Sequence, residues 1–139
     1  MKKRLCVLVL SSCALPGLVR AQSPEEGGAR EERGRYLVER VGMCQDCHSP
    51  RDEAGAFVRA QWLAGAAVGF SPLAAMPWAE VAPPIAGLPT MSHQQGVRFL
   101  MSGERPDGSH PRPPMPEYRF SQEDAEAVVE YLRSLMPPE

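Results

Sequence analysis

Apolar positions along this chain fall into three helical stripes separated by stretches that carry no period. Gly34, Leu37, Val38 and Val41 follow i, i+3, i+4, i+7 spacing and predict a helix over residues 30–43. Ser92 and Gln95 have the spacing of a capping box. It opens a short helix with Val97, Leu100 and Met101 on one face and Gly103 as its stop. Ser121 and Asp124 repeat that signature, and Ala125, Val128, Val129, Leu132, Leu135 and Met136 form the longest stripe, closed by Pro137. Residues 52–90 are rich in Ala, Gly and Pro and hold Trp62, Phe70 and Trp78. They show little periodicity beyond one helical turn near RAQWLAG, so they predict a long loop region. A second loop runs through RPDGSHPRPPMPEYRF, with Pro-Asp-Gly as its turn. No stretch reads as a strand, and the expected class is all-α with long irregular loops.

The start of the chain reads differently. Lys2, Lys3 and Arg4 precede the apolar run LCVLVLSSCALPGLV, and VRA supplies small residues ending at Ala21. A basic head, a short apolar segment and an A-x-A-like end predict a secretory signal over residues 1–21. Residues 22–28 then read as a flexible leader and residues 29–139 as one domain. LSSC, residues 10–13, offers a competing lipoprotein site that would leave Cys13 acylated; the short apolar run before it favours cleavage at Ala21. Cleavage there removes four basic residues and no acidic one, so the formal charge falls from −2 to −6. That balance argues against a nucleic-acid partner and suits a soluble protein or a partner with a basic docking face. No later stretch is apolar for long enough to span a membrane.

Three short helices and proline-rich loops offer a modest apolar core, and small domains with such cores need a staple or a cofactor. The loop over residues 52–90 likewise needs something large to pack against. Cys6 and Cys13 leave with the signal, and the remaining pair, Cys44 and Cys47, lies in GMCQDCHSPRD. Two cysteines that close together staple little, so their purpose is local chemistry. Three chemistries use such a cluster. A dithiol redox site needs C-x-x-C at the start of a helix among strands, whereas here it follows a helix. Zinc needs four ligands, with His93 or His110 as the fourth, and adjacent Cys47 and His48 fit poorly around one small ion. Covalent haem attachment accounts for the order of residues: Cys44 and Cys47 as thioethers, His48 as the proximal iron ligand, and the porphyrin as the missing apolar centre.

Four stretches carry a family resemblance over most of the exported part. GRYLVERVGMCQDCH, APPIAGL, SGERPDGS and RPPMPEYRFSQEDAEAVVEYLRSL together resemble the class I, single-haem cytochromes c, in particular bacterial domains that serve dehydrogenases. The resemblance implies terminal helices that cross around one covalent haem c, with Tyr131 packed over Gly34 and Tyr36 upstream of the cysteines. It implies that the Pro83 carbonyl receives the N–H of His48 and that Met115 is the distal iron ligand. The stretch over residues 52–82 is longer than in minimal members, which leaves the role of Trp62 and Trp78 open.

The residues themselves favour Met115 as the sixth ligand. Met101 and Met136 lie on helical stripes, Met43 adjoins the attachment segment, and a methionine is ordinarily core filler. Met115 stands between Pro113, Pro114 and Pro116 in an extended loop, where restricted backbone holds a sulfur in place. Met76, beside Pro77 and Trp78, is its rival, with His93 and His110 read as solvated. Tyr118 and Arg119 are placed to meet a haem propionate, a network beside the sulfur, or an ordinary loop contact. Arg51, Arg59 and Arg112 are candidates to offset propionate charge. Glu25, Glu26, Glu31 and Glu32 read as a solvated acidic start. His/Met ligation leaves no open iron position and raises the potential. The expected function is therefore a periplasmic one-electron carrier between a dehydrogenase or quinol-oxidising complex and a terminal oxidase or other acceptor, not an enzyme in itself. Two alternatives remain: a cytochrome subunit of a dehydrogenase complex, and a haem ligand sensor or peroxidase-like enzyme with an open iron site.

Overall fold

A computed structural model describes residues 24–135. The signal segment and Cys13, and at the other end Met136 and Pro137, lie outside the described residues. Helix α1 spans Pro24–Tyr36 and continues as a π-helical segment, Leu37–Val41. A short helix α2, Gln45–His48, follows at the cysteines. Helix α3 spans His93–Ser102 and α4 spans Gln122–Ser134.

The helix at the N-terminal side begins earlier than the periodicity predicts. Part of the segment read as a leader over residues 22–28 is helical from Pro24 onward. Proline lacks the N–H that a first helical turn leaves unpaired, and Glu25 and Glu26 sit in that turn, where the helix end is positive. These offset Gly27 and Gly28. Arg30 pairs with Glu130 at 2.8 Å and Arg33 with Asp124 at 2.9 Å, both across to α4. Val41, expected on the buried stripe, is half exposed. The reason is the wide winding: Gly42 N–H bonds Leu37 O at 2.7 Å and Cys44 N–H bonds Val38 O at 3.0 Å, so the 3.6-residue period ends near Val38.

Helices α1 and α4 cross at Gly34. A Cβ at that position would lie 2.0 Å from the Ala127 carbonyl oxygen and 2.7 Å from Tyr131 Cβ. Around the crossing pack Leu37, Val38, Ala125, Val128, Val129, Tyr131 and Leu132, with Leu63, Ala86 and Leu100 completing the core. The Tyr131 hydroxyl donates to Glu39 Oε1 at 2.7 Å, which satisfies its polar end beside the buried ring.

Both serine caps form. Ser92 accepts from the Gln95 N–H while the Gln95 side chain accepts from the Ser92 N–H, and Ser121 accepts from the Asp124 N–H. Ser92→Ala is expected to destabilise the protein by about 1 kcal/mol, read as a lower urea midpoint at unchanged slope. Gly103 closes α3 in the left-handed region, φ 76°. Met101, expected in the core, is exposed, because the face of α3 that meets α4 runs through Gly96 and Leu100. A Cβ on Gly96 would come within 3.0 Å of Val129 Cγ2.

The segment over residues 52–90 is tied down by backbone bonds rather than helices. Against the expectation of no strands, Ala66–Ala67 (β1) pairs antiparallel with Val81–Ala82 (β2), and Arg51 bridges Phe57. A 3₁₀ turn, Arg59–Gln61, leads into buried Leu63. Leu63 N–H donates to Ser49 Oγ at 2.9 Å, and its carbonyl accepts from Ile85 and Ala86. Trp62 packs against the core, edge-on to Phe57, with the Arg59 guanidinium over its ring. Trp78 donates to the Phe70 carbonyl at 3.0 Å in a loop that exposes Phe70, Leu73 and Met76.

Candidate cofactor site

Between the segment bearing Cys44, Cys47 and His48, the β2 strand and the two long loops lies a cavity of about 750 Å³, within the roughly 300–1,000 Å³ usual for small-molecule sites. Cys44, Cys47 and His48 line it from one element. Pro83, Ile85 and Leu88 line it from the stretch after β2, and Leu100, Val128, Val129 and Leu132 supply the helical wall. Met115 lines it from the proline loop, together with Pro114, Pro116 and Tyr118.

The geometry at His48 is specific. Its Nδ1 lies 2.7 Å from the Pro83 carbonyl oxygen, an acceptor only, so Nδ1 carries the proton and Nε2 keeps its lone pair. Gly65 N–H bonds the His48 carbonyl at 2.8 Å, which ties α2 to the turn before β1. Burial lowers the imidazole pKa, opposed by the bond to Pro83. The ring is thus held neutral, the form that binds metals. Cys44 and Cys47 are free thiols. Burial pushes the Cys44 thiol up to about 11, with the neighbouring Tyr118 hydroxyl acting in the opposite direction.

These residues fit a covalently held haem. Two unbridged thiols, an oriented neutral imidazole, a thioether and largely apolar walls are the donor set and surroundings that such a group needs. Arg105 and Arg112 also line the cavity and bring positive charge for its carboxylates. The zinc alternative finds no support. Among the described residues no group of three or more His, Cys, Asp or Glu side chains is placed to hold a metal ion. His110 instead pairs with Glu117 at 3.0 Å.

The structure sorts the other candidates. Met76 is exposed and lies outside this cavity, whereas Met115 lines it. Arg112 lines it too, but Arg51 pairs with Asp46 and stacks on Phe57, and Arg59 covers Trp62. Met91, Phe99 and Arg105 are cavity residues that pattern reading did not single out. Met91 precedes a capping serine without flanking prolines, and Phe99 and Arg105 belong to an ordinary helix and turn, so nothing local marks them.

No protein-family model matches the chain. Two curated proteins do. One is a diheme cytochrome c-type protein of Cereibacter sphaeroides, 57% identical over 35 residues, which are 25% of this chain and 12% of that protein. The other is the fructose dehydrogenase cytochrome subunit of Gluconobacter japonicus, 31% identical over 111 residues, 74% of this chain and 21% of that protein. Both matches support a cytochrome c family. The chain thus spans only 12% and 21% of the length of these two cytochromes. The mostly helical architecture, with its few strands, is compatible with a cytochrome c fold.

Proposed function

We propose that this chain is a class I cytochrome c with one haem, carrying single electrons for a partner oxidoreductase. The observation that carries the reading is the meeting of Cys44, Cys47, His48 and Met115 around one apolar cavity, with the His48 ring already fixed by Pro83. Cys44 and Cys47 would hold the haem through thioether bonds, and His48 Nε2 and the Met115 sulfur would ligate its iron. When bound, haem supplies one-electron cycling between Fe(II) and Fe(III). The chain's own part is to hold that group still. The Pro83 carbonyl sets the tautomer and orientation of His48, as partners of metal-binding imidazoles commonly do. The walls from α3 and α4 exclude water, and the prolines around Met115 restrict its backbone. The single C-x-x-C-H in this sequence supports the reading of one haem.

The predicted signal supports export to the periplasm. The match to a dehydrogenase cytochrome subunit favours a dehydrogenase as the electron donor, with this chain either a free carrier or a subunit of the complex. Among the described residues no helix is long and apolar enough to cross a membrane. The test is production alongside haem-maturation enzymes, followed by intact-mass measurement. The expected mass is the polypeptide plus one haem, and Cys44→Ser with Cys47→Ser is expected to remove the addition. Bare polypeptide from the unaltered sequence would falsify the proposal.

A further inference from the structure

We propose that Tyr118 is a positioning residue that fastens the Met115 loop to the segment bearing Cys44, and so sets how readily Met115 leaves the sixth position; this rests on the reading of Met115 as a ligand. Tyr118 lies three residues beyond Met115. Its hydroxyl donates to the Gly42 carbonyl at 2.9 Å, on the side of Gly42 that the Cys44 thiol also faces. The Gly42 carbonyl stands where α1 and its π-helical extension end, and helix ends leave carbonyls without helical partners. Tyr118 fills that role from 76 residues away.

The seat is shaped for the hydroxyl. A Cβ on Gly42 would sit 3.2 Å from each of Tyr118 Oη, Cys44 Sγ and Leu37 O, so glycine leaves room that a side chain would take. The Tyr118 ring stacks on Phe120 at 5.0 Å between centroids and 7° between planes, and Phe120 N–H bonds Leu100 O at 3.2 Å. The loop's other ties go elsewhere or stay within it: Pro113 O accepts from Ala79, Arg119 donates to the Ser102 carbonyl, and Arg119 also donates to Glu117 in the loop itself. Among the described residues Tyr118 is the side chain of this loop that hydrogen-bonds the segment leading to Cys44.

Tyr118→Phe keeps the stacked ring and removes only the donor. In the oxidised holoprotein it is expected to raise the affinity for added imidazole, which must displace Met115, by roughly fivefold, the weight of one neutral hydrogen bond. The sulfur-to-iron charge-transfer band should be present at the start of the titration and vanish at correspondingly lower imidazole. Ser92→Ala, which weakens the fold elsewhere, is expected to leave that affinity unchanged. Equal affinities for Tyr118→Phe and wild type overturn the proposal, as does an equal rise in Ser92→Ala. A second measurement needs no variant: in the reduced wild-type protein the Tyr118 hydroxyl proton should exchange slowly and cross-relax with Gly42, and failure of either overturns the proposal too. Absence of the charge-transfer band from the wild type instead removes the Met115 reading on which it stands.

Discussion

Gly34→Ala is expected to lower stability by about 3 kcal/mol, the upper end of the usual range for overpacking. The added methyl would meet the Ala127 carbonyl oxygen at 2.0 Å and its carbon at 2.6 Å. Both are backbone atoms, so no side-chain rotation relieves the clash and α1 must withdraw from α4. Withdrawal also loosens Arg30–Glu130 and Arg33–Asp124, which bridge the same two helices. At roughly 4 °C per kcal/mol the melting temperature should fall by about 12 °C. Gly27→Ala makes the same chemical change in the same helix, where nothing lies within 4 Å of the added atom. It is expected to stabilise by about 0.5–1 kcal/mol through helix propensity. Urea unfolding of the two variants should therefore move in opposite directions. A Gly34→Ala protein as stable as the wild type would show that the helices do not cross there.

On the proposed ligation by His48 and Met115, Met115→Ala is expected to open a sixth position at the haem iron. The substitution removes the thioether and leaves a small methyl in a loop whose backbone Pro113, Pro114 and Pro116 still define. The charge-transfer band should disappear, and the reduced protein should bind carbon monoxide rapidly where the wild type resists it. The potential should fall, because a soft thioether favours Fe(II), within the roughly 0.8 V that ligand choice and surroundings span. Covalent attachment should survive, since Cys44, Cys47 and His48 belong to a separate element. Met91 also lines the cavity and gives the experiment a second arm. If Met115→Ala keeps the band and Met91→Ala loses it, the ligand is Met91.

Much of the fold was legible wherever a structure is built from neighbours in sequence. The caps at Ser92 and Ser121 rest on bonds three residues long, and the α4 stripe follows from helical geometry alone. The grouping of Cys44, Cys47 and His48 is legible for the same reason. What escaped depends on distant partners. The β1–β2 pair joins Ala66 to Ala82, and Leu63 holds Ile85 and Ala86 through its carbonyl; no local period announces either. Val41 and Met101 were expected inside because a stripe presumes regular winding and full coverage. The first fails where the helix widens, and the second where the partner helix meets Gly96 and Leu100 instead. Met91 and Arg105 reach the cavity only once the loops have folded around it.

The widened segment between Leu37 and Val41 fixes a heading. Each residue of a regular helix turns the chain by about 100° and advances it about 1.5 Å, so the loose coil dictates the bearing on which Cys44 departs from Gly34. Changes of identity at solvent-facing Arg40 or Val41 leave that bearing alone. Loss or gain of a single residue would swing the imidazole away from Pro83, so the spacing from Gly34 to Cys44 constrains this protein more tightly than the identities of its solvent-facing side chains.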